Sequence, residues 1–246
     1  MNEKTMTFLE HLEELRKALL KSFGIFAIAV AACLFFSPQL YKILKAPLQQ
    51  VLPKGSFFIA TTPFESYAAY FKISLVFGLF LSSPFIFYFI WSFIRPGLQK
   101  NESRRVIPTA LLCSLLFVGG ALFGYFVVFP TGFHFVISVL EGSDTVLLPR
   151  MNDYLSFAFF LLLAFGLSFE LPIFLWLLGK FRLVTADQLR RSRKYAVVLI
   201  FLVAGVMTPG PDVPSQLMMA LPLLILFEAG IILVRISQKN TKNPNS

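Results

Sequence analysis

The sequence predicts an all-α, polytopic integral membrane protein with six transmembrane helices and both termini in the cytoplasm. The first reason is composition, because 57% of the 246 residues are hydrophobic and only 14% are charged. Soluble domains carry about 45–50% apolar and about 25% charged residues. The second reason is that the apolar residues form long stretches almost without charge, where backbone groups must be paired within a helix. Together these observations exclude an ordinary soluble domain, a disordered chain and a coiled coil.

The apolar stretches define a topology in which residues 1–246 form one membrane domain. The six spans are expected at residues 22–37, 67–94, 106–130, 154–178, 195–208 and 214–234. The cytoplasmic parts are an amphipathic helix at 1–21, loops at 95–105 and 179–194, and a tail at 235–246. The helix at 1–21 should lie along the membrane interface, because its apolar residues recur at helical spacing. The outer parts are two segments, 38–66 and 131–153, and a turn at 209–213.

The fifth and sixth spans are short. The fifth has about a dozen residues before the turn that starts at Thr208, so it reaches roughly 20 Å of a hydrocarbon core of about 30 Å. Either the bilayer thins there or partner helices cover the deficit. A simpler alternative is that Lys194 and its neighbours snorkel to the interface and nothing functional follows.

The distribution of Lys and Arg predicts the orientation. Seventeen of the 22 basic residues fall in the N-terminal segment, the loops 95–105 and 179–194 and the tail, and five fall on the other side. Cytoplasmic loops collect positive charge, so both termini are expected in the cytoplasm. The residues before the first span are polar and acidic, and no small-residue cleavage site follows it, which argues against a cleavable signal peptide.

Charge, cysteine and histidine usage give no sign of other functions. The net charge of +9 follows from the same loop rule, and the basic residues form no continuous stripe, so no nucleic-acid partner is expected. Cys33 and Cys113 lie in apolar stretches and imply free thiols. His11 and His134 belong to no spaced ligand set, which leaves a metal site without support. Enzyme motifs are missing, so we expect neither catalysis nor a cofactor.

Two carboxylates on the cytoplasmic side are candidates for binding a cation. Glu13 has Arg16 and Lys17 at i+3 and i+4, whereas Glu14 has only Lys17 at i+3 and is expected to stay available. Glu102 is the acid of a basic loop. Glu14 and Glu102 together could grip two guanidinium groups, because this pairing is bidentate and directional. The alternatives are a solvated helix face for Glu14 and a local salt bridge for Glu102.

Two further carboxylates lie inside spans. A charged residue at a helix centre costs about 2.5–3.5 kcal/mol on insertion scales, so such acids are functional candidates by default. For Glu170, in the fourth span, we expect a function, with water reaching a concave face of the bundle. For Glu228, nearer the cytoplasmic end of the sixth span, we expect protonation or a hydrogen bond to a neighbouring helix.

Several short motifs recur in a specific order between about Phe8 and Val234. They are His11-Leu12-Glu13-Glu14-Leu15-Arg16, Ala46-Pro47-Leu48, Ser83-Pro84, Phe93-Ile94-Arg95-Pro96-Gly97-Leu98, Glu102 followed by Arg104-Arg105, Gly124-Tyr125-Phe126, the run from Ala164 to Pro172, and Phe227-Glu228. Each alone is weak. In this order and spacing they resemble the TatC family, the polytopic core of the twin-arginine protein translocase.

The resemblance implies a fold, a function and partners. TatC-like proteins form a concave, glove-like bundle in the cytoplasmic (inner) membrane of a prokaryote. They bind the twin-arginine signal peptides of folded precursor proteins at the cytoplasmic face. They also associate with single-span partners of the TatA and TatB type and with further copies of themselves, and transport is driven by the proton-motive force.

The matching motifs carry the family's functional residues onto this chain. The resemblance implies that Glu14 and Glu102 hold the arginine pair, with Arg16, Pro47, Phe93 and Arg105 in support. It also implies that Glu170 is the polar residue of the cavity. Partner helices would dock near Thr208, Asp212 and Gln216.

The sequence departs from the family pattern at two places. The family usually has Thr-Pro-Pro-Asp after the fifth span, whereas the turn from Thr208 to Asp212 is one residue longer here and Pro214 follows it. Ser103 stands where an Arg often follows the acid, which leaves Glu102 with one cation fewer. The alternative function is a proton-coupled small-solute transporter that uses Glu170. Short fifth and sixth spans suit a scaffold for partner helices better.

Overall fold

The computed structural model describes residues 8–51, 58–60, 62, 64–95, 106–140, 148–207 and 213–242. These residues form α-helices and one isolated β-bridge, between Ile59 and Arg150, and no strand. Five stretches among them are long and apolar enough to cross a membrane: Leu9–Phe35, Glu65–Ile94, Val106–Phe135, Met151–Lys180 and Gln216–Gln238. The predicted all-α membrane fold is therefore confirmed. The remaining predicted span, 195–208, falls in a helix of 15 residues, so the count of six and the orientation stay predictions.

The helices follow one another with short connections. They are α1 (Phe8–Phe35), α2 (Ser37–Val51), α3 (Glu65–Ile94), α4 (Val106–Phe123), a π-helical turn (Gly124–Val128), α5 (Phe129–Leu140), α6 (Met151–Phe169), α7 (Leu171–Lys180), α8 (Ala186–Arg191), α9 (Arg193–Met207) and α10 (Val213–Lys242). The chain divides into two compact units. The first unit is Met1–Ile43 with Tyr67–Leu115, and the second is Leu44–Ser66 with Leu116–Ser246.

Two helices run further than the sequence predicted. The sequence predicts an amphipathic helix at 1–21 followed by a span at 22–37, and in the structure α1 runs without a break from Phe8 to Phe35, because no Pro or turn sequence separates the amphipathic part from the apolar part. The sixth span was expected to be short. The apolar stretch Gln216–Gln238 has 23 residues and α10 itself has 30, because the tail after Val234 contains no helix breaker.

In the first unit, a glycine and a Ser-Pro pair shape the packing of α3. A Cβ on Gly78 would lie 2.7 Å from the Val30 side chain, so α1 and α3 approach closely there. Pro84 has no N–H for the carbonyl of Phe80, four residues back. The Ser83 hydroxyl donates to that carbonyl at 2.8 Å. Since this uses the only proton of Ser83, the Ser114 hydroxyl of α4 donates to Ser83 Oγ at 2.9 Å.

In the second unit, glycines bring helix backbones together. A Cβ on Gly120 of α4 would lie 2.5 Å from the carbonyl oxygen of Phe165 in α6, and one on Gly166 would lie 2.8 Å from the Phe117 ring. A Cβ on Gly179 of α7 would lie 2.7 Å from Val234 of α10. Small residues at such contacts allow the close backbone approach on which helix association in lipid depends.

Candidate functional site

The first motif of the chain meets the end of α3 in the first unit. The ring of His11 stacks on the ring of Phe93, with centroids 4.3 Å apart and planes 17° apart. Phe93 lies one residue before the end of α3, and His11 lies in the first turn of α1. This contact joins two motifs that are more than eighty residues apart in sequence. We call the surroundings of this ring pair the α1–α3 junction, defined by His11, Glu14 and Phe93.

The two neighbouring acids of α1 differ as the sequence predicts. Glu13 Oε1 lies 2.7 Å from Lys17 Nζ, and both side chains are well exposed. Glu14 is half-buried, lies one turn after His11, and makes no ion pair with any residue that the structure describes. Arg16 is exposed. Among the described residues, Glu14 is thus the acid of the α1–α3 junction without an ion pair, and its availability for an incoming cation stays a prediction.

The end of α3 is held in place by α4. The indole nitrogen of Trp91 donates to Cys113 Sγ at 3.1 Å, and both side chains are buried. The ammonium of Lys21 lies 6.0 Å from the centre of the Phe89 ring, a cation–π distance that links α1 to the same end of α3. These contacts fix Phe93 on a rigid element, as a binding site requires.

Several predicted site residues lie outside the described part of the chain. They are Glu102 and Arg105 in the loop 95–105, and Thr208 and Asp212 in the turn after α9. Their roles stay predictions. The loop that carries Glu102 leaves the end of α3 and returns to the start of α4, and these two ends both belong to the first unit.

Pro47 lies in the second unit, inside α2. It is buried, as is its neighbour Leu48. The hydroxyl of the buried Tyr154 donates to the carbonyl of Leu44 at 2.5 Å, which binds this part of α2 to α6. The structure thus gives Pro47 a packing role within its own unit, and its support of a binding site stays a prediction.

Glu170 marks a break in the fourth predicted span. It ends α6 and precedes α7, and Pro172 follows at the start of α7. Proline lacks the N–H for the next helical bond, so the helix is interrupted there. The Oε1 atom of Glu170 is shielded from solvent. The residue as a whole is half-buried, and its role as the polar residue of a water-accessible cavity stays a prediction.

Glu228 is paired with a neighbouring helix. Its Oε2 atom lies 2.5 Å from Arg193 Nη2 at the start of α9. The expected hydrogen bond to a neighbouring helix is confirmed, and its donor is a charged guanidinium. Gln216 makes a similar link, because its side-chain amide donates to the Phe201 carbonyl of α9 at 2.7 Å.

The sequence reasoning missed Glu65. This buried carboxylate starts α3 and accepts backbone N–H groups from Thr62 at 3.3 Å and from Asn152 at 2.9 Å. Beside it, Ile59 exchanges backbone hydrogen bonds with Pro149 and Met151. The two predicted outer segments are thereby joined. The available signal was an acid immediately before a long apolar stretch.

No group of three or more metal-ligating side chains occurs in the described ranges.

Comparison with known proteins agrees with these motifs. The family model "Sec-independent protein translocase protein (TatC)" matches residues 10–222. The protein of that name from Desulforapulum autotrophicum is 42% identical over 96% of this chain and 87% of its own length. The one from Escherichia coli strain K12 is 40% identical over 95% of this chain and 90% of its own length.

A solved structure agrees in fold as well. The crystal structure of a twin-arginine translocase receptor, TatC, superposes with a TM-score of 0.82 at 38% sequence identity, covering 93% of this chain and all of that one. The match therefore extends over nearly the whole length of both proteins. The chain belongs to the TatC family.

Proposed function

We propose that this protein is the signal-peptide receptor and core subunit of a twin-arginine translocase in the inner membrane of a prokaryote. It would recognise the paired arginines of the signal peptides that folded precursors carry. Membership in the TatC family supports this function and decides against the small-solute transporter. Transport would draw on the proton-motive force.

The observation that carries the proposal is the stacking of His11 on Phe93, which places Glu14 at a junction of two helices. A guanidinium that reached this junction would find a half-buried carboxylate without an ion pair among the described residues. Charge-assisted carboxylate–guanidinium bonds are about twice as strong as neutral ones. Glu102, in the sequence between α3 and α4, would supply the second carboxylate, with Arg16, Arg105, Phe93 and Pro47 in support.

Reversing the charge of Glu14 tests the proposal. We expect Glu14→Lys to weaken binding of a twin-arginine signal peptide to the purified, lipid-reconstituted protein by at least about tenfold, since a hydrogen bond to a charged group contributes about 1.5–3 kcal/mol. Fluorescence anisotropy of the labelled peptide measures the affinity. We also expect the wild type to bind a peptide with paired arginines more tightly than one with paired lysines. The planar guanidinium can form two parallel hydrogen bonds with one carboxylate, and an ammonium cannot.

Glu13→Lys is the matched control. It makes the same change of charge on the adjacent residue, but Glu13 is already paired with Lys17. We expect this variant to bind the peptide within about threefold of the wild type, because exposed pairs contribute little. Equal losses in both variants would contradict a specific role for Glu14 and would indicate attraction by the general surface charge.

Partner helices of the TatA and TatB type would dock on α9. This helix has 15 residues, and its apolar side chains Val198, Leu202 and Val206 are exposed and recur every four residues. Gln216 would act indirectly here, since its amide fastens α10 to α9. Thr208 and Asp212 would belong to the same edge. Further copies of the chain complete the proposed assembly.

A further inference from the structure

A basic cleft lies where α8, α9 and α10 meet in the second unit, and none of its residues belongs to the α1–α3 junction. Its volume is about 300 Å³, and it is lined by Arg190, Arg193, Glu228, Arg235 and the apolar side chains Ile232 and Ile236. Three helices thus contribute one arginine each to a single cleft.

The charges in this cleft are unbalanced. Glu228 is its acidic residue and is paired with Arg193 at 2.5 Å. Arg190 and Arg235 form no ion pair with any described residue. The lining therefore carries three positive charges against one negative charge. Guanidinium groups that converge without a carboxylate repel one another, and an anion between them relieves this repulsion.

The walls of the cleft are held firmly. Gln238 of α10 donates to the carbonyl of Val184 and accepts the N–H of Ala186, both at 3.3 Å, which fixes the start of α8. Thr185 and Gln188 close a capping box at the same point. The contact of Gly179 with Val234 holds α7 against α10. Arg190 and Arg235 therefore belong to helices whose positions are fixed by contacts within the protein.

The cleft is also amphipathic and lies at the end of an apolar stretch. Ile232 and Ile236 are 57% and 52% exposed, and the span candidate Gln216–Gln238 ends beside them. Arg235 is thus placed where the apolar stretch ends. The distribution of Lys and Arg assigns this end to the cytoplasmic leaflet. Anionic head groups bind in basic pockets between transmembrane helices on that side.

We propose that this cleft binds an anionic phospholipid. The phosphate lies between Arg190 and Arg235, Arg193 is shared between the phosphate and Glu228, and an acyl chain lies along Ile232 and Ile236. Guanidinium groups match phosphate oxygens in a bidentate geometry. A soluble phosphate would use the arginines but leave the isoleucines without a role, and this favours a lipid as the occupant.

Native mass spectrometry of the full chain in detergent tests the proposal. The protein is titrated in separate experiments with dioleoylphosphatidylglycerol, with dioleoylphosphatidylcholine and with inorganic phosphate. We expect bound phosphatidylglycerol on the wild type, little phosphatidylcholine and no phosphate. The double variant Arg190→Gln, Arg235→Gln should bind phosphatidylglycerol roughly thirtyfold more weakly, since each basic residue near a lipid surface contributes about a fivefold factor.

The matched control removes two neighbouring charges that do not line the cleft, with Arg191→Gln and Lys194→Gln. We expect less than about a threefold loss of affinity. Equal losses in the two double variants would overturn the proposal in favour of unspecific surface attraction. Equal binding of phosphatidylcholine, or binding of inorganic phosphate at the same concentration, would also overturn it. Circular dichroism and thermal unfolding confirm that each variant is folded.

Discussion

Glu65 shows how one buried side chain can join distant parts of a membrane protein. It is only 6% exposed, and its two oxygens accept backbone N–H groups from Thr62 and from Asn152, which is 87 residues away. The N–H of Asn152, in the first turn of α6, has no acceptor within its own helix, and the Glu65 carboxylate supplies one. The carboxylate therefore fastens the start of α3 to the start of α6.

Removing this carboxylate should destabilise the protein. We expect Glu65→Ala to lower the free energy of unfolding by about 2–4 kcal/mol, since two partly buried hydrogen bonds to a charged acceptor are lost. Glu65→Gln keeps one acceptor oxygen and should lose less. Chemical denaturation in detergent measures both. Glu13→Ala removes an exposed acid with an exposed partner and should change stability by less than about 1 kcal/mol. A loss no larger for Glu65→Ala than for Glu13→Ala would refute the role of Glu65.

Helix pairs in this chain depend on which glycines face a neighbour. Gly119 and Gly120 are adjacent in α4, yet a Cβ on Gly119 would meet nothing within 4 Å, whereas one on Gly120 would lie 2.5 Å from a backbone oxygen of α6. The sequence shows two equivalent glycines in an apolar helix. The two glycines lie on different faces of α4. Gly120, like Gly124 four residues later, lies on the face that packs against α6, whereas Gly119 does not.

This pair offers a matched comparison at the scale of elements. We expect Gly120→Ala to destabilise the protein by about 1–3 kcal/mol, since α4 must move away from α6. Gly119→Ala should be neutral or stabilising by up to about 1 kcal/mol, because alanine is the better helix former. Thermal unfolding in detergent measures the difference. Similar melting temperatures for the two variants would mean that α4 and α6 do not pack as closely as described.

Some element boundaries were visible in the sequence and others were not. The apolar stretches located α3, α4 and α6 well, because a membrane demands long uncharged helices. The break at Glu170 was missed although Pro172 signalled it, since hydropathy treats proline as one more apolar residue. In α1, by contrast, the sequence predicted a boundary where the helix continues. A change from polar to apolar residues does not by itself end a helix.

At the scale of the whole molecule, the sequence predicted the fold class and the acid Glu14, but not what surrounds it. Local spacing predicted that Lys17 would pair with Glu13 and leave Glu14 available, and the structure confirms that pair at 2.7 Å. The stacking of His11 on Phe93 depends on how α1 and α3 pack, which no local pattern encodes. The same holds for the basic cleft, whose three arginines come from three helices.

Photocrosslinking from the α1–α3 junction tests the central claim most directly. A photoreactive phenylalanine analogue at position 93 keeps an aromatic ring there and leaves Glu14 intact. We expect it to crosslink to a precursor with paired arginines, and to lose the product when the pair is changed to lysines or when Glu14→Lys is added. The same analogue at Phe71, which is 53% exposed and near the other end of α3, should give no product. Equal crosslinking to the lysine precursor, or from position 71, would contradict the account.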